Sequence, residues 1–158
     1  MSREILFKAK QANNGEWVEG YYARYGFTGK EKHYIVPVYA SDLYAFEVDK
    51  KTLCQYTGLT DKNGKKIWEG DILRGHGNNT DLSKVVYGEF GMIENETLEV
   101  IDIVIGWHYE PIPTDALSKC EPFCLPMPLT NYYIDRCEFE VIGNIFDNPE
   151  LLTTNKGA

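Results

Sequence analysis

The run Cys54-Gln55-Tyr56-Thr57-Gly58-Leu59-Thr60-Asp61-Lys62-Asn63-Gly64-Lys65-Lys66-Ile67-Trp68-Glu69-Gly70-Asp71-Ile72-Leu73 decides the fold. It reads as strand-like residues separated by tight turns. Asn63-Gly64 predicts a two-residue hairpin of type I′, because that turn needs positive φ at both central positions. Glu69-Gly70-Asp71 predicts a second turn, after which Ile72-Leu73-Arg74 starts a new strand. Gly58 offers another bend without a Cβ penalty. No catalytic set lies in this stretch, so it announces a mainly β protein and stays silent on function.

Working outward, strand signals recur with short turns between them. On the N-terminal side, Ile5-Leu6-Phe7 begins a strand and Asn13-Asn14-Gly15 turns the chain into Trp17 to Tyr25. His33 to Tyr39 and Tyr44 to Val48 follow. Pro37 lacks a ladder donor and predicts an edge or a bulge. On the C-terminal side, Leu82 to Tyr87 and Phe90 to Glu94 read as strands parted by Gly88, and Leu98 to Trp107 as a long apolar strand with a kink at Gly106. Tyr109 to Pro128 holds five of the seven prolines and should be irregular. Thr114 is placed to cap a short turn over Asp115 to Lys119. Tyr132 to Ile145 reads as strand again, Asn148-Pro149 as the opening of a brief turn. Residues 153–158 read as a frayed tail.

Composition narrows the class. Aromatics make up 13% of the 158 residues, with eleven tyrosines, which favours sheet over helix. A chain of this length buries about two-thirds of its unfolded surface. With no apolar leader and no apolar run near the roughly 20 residues a bilayer demands, the expected location is the cytoplasm. Four cysteines (Cys54, Cys120, Cys124 and Cys137) in such a chain are expected to be reduced and at least partly buried. Charge is uneven. Residues 1–80 carry twelve Lys/Arg against ten Asp/Glu, a balance of +2, whereas residues 81–158 carry four against fourteen, a balance of −10. From Val85 to Ser118 there is neither Lys nor Arg. Such a back half repels phosphates and disfavours direct nucleic-acid binding, although Lys62, Lys65 and Lys66 cluster.

Catalytic constellations are weak. His108-Tyr109-Glu110 with Cys120 and Cys124 resembles a zinc deaminase set only faintly: the cysteine spacing is wrong and no proline precedes it. No Gly-x-Ser-x-Gly elbow is present, and Gly75-His76-Gly77 lacks the strand-to-helix setting of a phosphate loop. Glu94/Glu96 and Glu138/Glu140 have strand spacing, which is more often a solvated face than an acid–base pair. The expectation is a non-enzyme without metal or cofactor.

The central run also carries a family resemblance. Gln55-Tyr56-Thr57-Gly58-Leu59, Asp61-Lys62-Asn63-Gly64-Lys65 and Glu69-Gly70-Asp71-Ile72 resemble the signature of the YopX family. Arg3-Glu4-Ile5-Leu6-Phe7, the run Asn14 to Tyr21, and Glu140-Val141-Ile142-Gly143-Asn144-Ile145 with Asn148-Pro149-Glu150-Leu151 fit as well. The resemblance implies a phage or prophage gene and an SH3-like barrel in the C-terminal part, and no established activity. The expected architecture is all-β: an N-terminal antiparallel β-sheet extension over 1–52, a barrel domain over 53–152 with an irregular Pro-rich insertion near 107–131, and a disordered tail at 153–158.

What remains for function is a surface. Trp107, Tyr109, Phe123, Met127, Tyr132 and Tyr133 stand out in or beside the Pro-rich segment, and such residues are enriched at interface cores. The segment is expected to lid the barrel, to bind a partner, or both. A protein partner or a second copy of the chain is the first expectation. An acidic mimic of nucleic acid, blocking a host DNA-binding protein, is the alternative.

Overall fold

Strands are the dominant regular structure, as the chain's aromatic and β-branched content demands. The computed structural model describes residues 3–39 and 44–153. They fall into two units, Met1–Gly58 and Leu59–Ala158. Among the described residues no helix is long and apolar enough to cross a membrane.

In the first unit, β1 (Phe7–Lys10), β2 (Trp17–Tyr25), β3 (Lys32–Pro37), β4 (Phe46–Val48) and β5 (Cys54–Thr60) lie in the order β4-β3-β2-β1-β5. The strand pairs are antiparallel, with Phe7 opposite both Gly20 and Gln55. Period-two alternation shows in β3, where His33, Ile35 and Pro37 are buried and their neighbours are not. Ala9, Val18, Ile35 and Val48 form the core of this unit. Gly20 faces Pro37 at a point of close approach, and a Cβ there would collide with the Val36 carbonyl oxygen. Pro37 is tolerated because it ends β3, beyond the His33–Ile35 stretch that pairs with β4. The first strand begins two residues later than the sequence predicts.

The second unit holds β6 (Lys66–Trp68), β7 (Asp71–Arg74), β8 (Leu82–Ile93), β9 (Val100–Pro111), β10 (Met127–Pro128), α1 (Asn131–Cys137) and β11 (Glu140–Asn144). Five of its strands form a sheet in the order β10-β9-β8-β7-β11. The all-β class stands. The order has free ends at β10 and β11, so these strands do not close into the ring that an SH3-like barrel implies. The core is Ile67, Leu73, Val85, Tyr109, Leu129, Ile134, Phe139 and Val141. A smaller cluster of Ile72, Leu82 and Ile112 gathers Ile142, Ile145, Leu151 and Leu152.

Two aspartates of the opening stretch fasten this unit. Asn63-Gly64 does close a hairpin, but the turn is not type I′. Only Gly64 has positive φ, at 80°, and the loop runs from Asp61 to Lys65. Asp61 sets this longer form: its Oδ1 accepts from the Asn63 and Lys65 amides at 2.8 and 2.9 Å, favouring a type I turn followed by a left-handed glycine. Its Oδ2 accepts from the Val141 amide at 2.9 Å, eighty positions away. Asp71, almost fully buried, accepts from the Trp68 amide at 2.8 Å and closes the second turn. Gly70 supplies that turn's left-handed residue, with φ of 82°.

Four other expectations need correction. β8 runs unbroken through Gly88, which pairs with Gly106, so neither glycine parts or kinks its strand. β9 reaches Pro111, further than the proline count predicts. Residues 131–137 are helix, where strand was expected: the Thr130 side chain accepts from the Tyr133 amide at the N-cap, and Glu138 ends the helix with φ of 52°. The Leu117–Lys119 turn is held by the Asp115 carboxylate, which accepts from Ser118 N at 2.8 Å, and not by a Thr114 cap. The short turn after Asn148 is present over Pro149–Leu152, and 154–158 of the expected tail lie outside the described residues.

Candidate functional site

Strands β8 and β9 pair along almost their whole length, but their neighbours in the sheet are short. β7 pairs with Leu82–Lys84 alone, and β10 with His108 and Tyr109 alone. The hairpin therefore continues as a two-stranded arm. Its register places Tyr87 opposite Trp107, Glu89 opposite Ile105 and Gly91 opposite Ile103. By alternation these residues share the side of the ladder taken by Val85 and Tyr109, both in the core. The core face thus runs on past its cover. Ile103 and Ile105 are 59% and 66% exposed, with Tyr87 packed edge-on against Trp107 at 4.9 Å; a bulge sets Val100, 59% exposed, opposite Ile93 and leaves Ile101 out of the alternation. Glu89, Glu94, Glu96 and Glu99 surround them in a stretch free of Lys and Arg.

A second feature is a cavity of about 590 Å³ in the second unit. Its walls come from the β7–β8 loop, the tip of the arm, the 111–127 segment and α1. Leu98, Phe123, Leu125, Met127 and Phe139 make it apolar, and His76, Asp81, Asp115 and Arg136 add polar groups. The loop that carries His76 turns sharply: His76 and Gly77 have φ of 51° and 65°, and His76 N donates to Cys137 O at 2.8 Å. Burial pushes the Asp81 carboxyl above its ordinary pKa; a nearby His76 opposes this and Asp115 adds to it. Burial likewise raises the Cys137 thiol, and the Asp81 charge adds to the effect. Tyr109 is raised by burial above all, with Cys137 and Tyr133 adding to the effect.

The six surface residues expected from the sequence divide. Tyr109, Phe123, Met127 and Tyr133 line the cavity. Tyr109 is only 7% exposed and belongs to the core, so it is no open contact residue. Trp107 is half-buried at the root of the arm, and Tyr132 is exposed, with Arg136 donating to its hydroxyl. The Pro-rich segment therefore covers the unit's core with its Met127 and Leu129, while Phe123 stays exposed at the cavity. The apolar row was missed as a surface.

The residues weighed for catalysis are dispersed or engaged. His108 stacks on Phe90 at 4.7 Å and its ring nitrogens face Gly106 O and Glu110. His33 bonds to the Tyr22 hydroxyl, and His76 lies 3.7 Å from Glu138. Among the described residues, His108, Cys120 and Cys124 are not brought into a group able to hold a metal. All four cysteines are free, and Cys120 is exposed, against expectation. Glu94 and Glu96 sit in the turn of the arm, where Glu94 accepts from the amides of Glu96 and Thr97 and its carboxyl is lowered, by the Thr97 amide first. Glu138 and Glu140 also fail to share a strand: the first caps α1, the second pairs with Arg74 at 2.8 Å.

Comparison with known proteins agrees with the sequence motifs. The family model described as YopX protein matches residues 6–153. No curated protein matches the chain. A crystal structure of protein EF1440 from Enterococcus faecalis is similar over 96% of this chain and 100% of that one, with 20% identity and a TM-score of 0.43.

Proposed function

The chain belongs to the YopX family, and on that footing we propose that it is a non-enzymatic, cytoplasmic phage or prophage accessory protein that binds another protein through the β8–β9 arm. The observation that carries this reading is the exposed row Val100, Ile103 and Ile105 on a strand whose outer edge, beyond β10, has no partner strand among the described residues. Fully burying an isoleucine side chain is worth about 1.5–3 kcal/mol, so the row offers several kcal/mol to whatever covers it. Isolated exposed apolar residues are ordinary, but an aligned row on an open edge is a place where an extended segment adds as a further strand.

Charge selects the occupant. Glu89, Glu94, Glu96 and Glu99 flank the row, and no Lys or Arg lies between Val85 and Ser118. A second copy of this arm would set acid against acid, which disfavours self-pairing. The partner is an extended segment of a different protein, alternating apolar residues with Lys or Arg.

The test uses two synthetic peptides, one alternating Val with Lys and one alternating Val with Glu, titrated against the full chain. The Val-Lys peptide should bind, weaken moderately with salt, and lose affinity about tenfold or more when Ile103→Thr and Ile105→Thr are combined, which removes apolar area while keeping strand propensity. Failure of the Val-Lys peptide to bind, or dimerisation of the chain through this row in sedimentation, would overturn the proposal. Binding that survives the double substitution and vanishes entirely with salt would instead favour the acidic nucleic-acid mimic.

A further inference from the structure

The cavity of the second unit has a chemistry of its own, separate from the apolar row. At about 590 Å³ it lies in the range of small-molecule sites, and its walls are mostly apolar with a few polar groups, as such sites require. The polar groups differ in what they have left to offer. Asp115 accepts from the Ser118 amide at 2.8 Å. The Tyr109 ring belongs to the core, and Arg136 donates one of its N–H groups to the Tyr132 hydroxyl at 2.9 Å. Asp81 is different. Its backbone is bonded on both sides, to Asn78 O and from Gly75 N, yet no described residue donates a hydrogen bond to its carboxyl. That carboxyl lies over Gly75, where a Cβ would collide with it.

We propose that this cavity binds a small apolar cation, an arylalkyl amine in class, with its ring against Leu125, Met127 and Phe139 and its ammonium at Asp81. A half-buried carboxylate without donors has lost hydration that nothing in the protein replaces, and a charged N–H donor restores it best. An anion of the same shape would meet Asp81 and Asp115 together. A neutral alcohol would supply a donor but no charge, and so ranks between them. The groups that face Asp81 electrostatically are His76, Asp115, Cys137 and Tyr109, and of these only His76 can carry a competing positive charge.

The experiment titrates the full-length ¹⁵N-labelled chain with 2-phenylethylamine, 2-phenylethanol and 3-phenylpropionate, following amide resonances. The amine should give saturable shifts at Asp81, Leu125 and Cys137, the alcohol weaker ones, and the propionate none. Asp81→Asn, which removes no hydrogen bond within the protein, should keep the melting temperature and weaken amine binding about tenfold or more. Leu125→Trp, which fills the cavity, should abolish binding of both the amine and the alcohol. The proposal falls if the amine gives no saturable shift, if Asp81→Asn binds it as tightly, or if the propionate binds equally well. The arm lends only its tip to the cavity, and these readouts at Asp81, Leu125 and Cys137 lie outside Ile103 and Ile105, so the two proposals stand or fall separately.

Discussion

Asp61 shows how much one side chain can organise. Its two carboxylate oxygens serve three backbone amides, two in its own turn and one on β11. Removing the acceptor strands one buried donor, the Val141 amide, at about 1–3 kcal/mol, and leaves two part-buried turn amides without their partner. Asp61→Ala should therefore cost the second unit about 3 kcal/mol or more in urea unfolding, far beyond a typical surface change. Glu140 makes a different, pH-dependent contribution. The hydrogen bond from Arg74 holds its carboxyl below the ordinary glutamate range. A depressed folded pKa means stability that is present above the unfolded value and lost as pH falls through the folded one. Glu140→Gln should thus lower the melting temperature at pH 7, and the two proteins should converge once acid has protonated Glu140 in both states. The sequence displayed Asp61 as part of a turn motif, but nothing in it revealed a contact with Val141. A tertiary bond across eighty positions leaves no local mark.

At the scale of elements, α1 is the most instructive departure. Tyr132, Tyr133 and Ile134 have strand propensity, and seven residues are too few to display a helical period. The helix forms because Ile134 is pulled into the core and Thr130 closes the first turn. Thr130 is a residue type that suits an N-cap, but the aromatic run after it reads as strand. Thr130→Ala should cost about 1 kcal/mol, measured by chemical denaturation, and should loosen the 127–137 region in hydrogen exchange first. The glycine-marked turns were readable because positive φ is a local demand that few other residues satisfy. The type of the Asn63-Gly64 turn was not, since the choice lay with a neighbouring carboxylate. The arm illustrates a similar limit: alternation disclosed a buried-looking strand at Ile101–Ile105, and only the shortness of β7 and β10 leaves that face uncovered.

For the whole molecule, the second unit is stitched from chain segments far apart in sequence. β7 pairs with β11, and the core takes Ile67 and Leu73 from one end and Phe139 and Val141 from the other. A chain shortened to end before Phe139 should leave this unit without dispersed amide resonances, because it loses a core face, a ladder and the Asp61 link together. The first unit draws its core from residues 9 to 48 and carries no such dependence within its own cluster. That difference has a consequence during synthesis. As the polypeptide leaves the ribosome, the N-terminal segment has every core residue it needs early, whereas the remainder must wait for its last strand to clear the exit tunnel. Codon choice or pausing around the codons for Phe139 and β11 would then govern how long an unfinished half stays exposed to proteases.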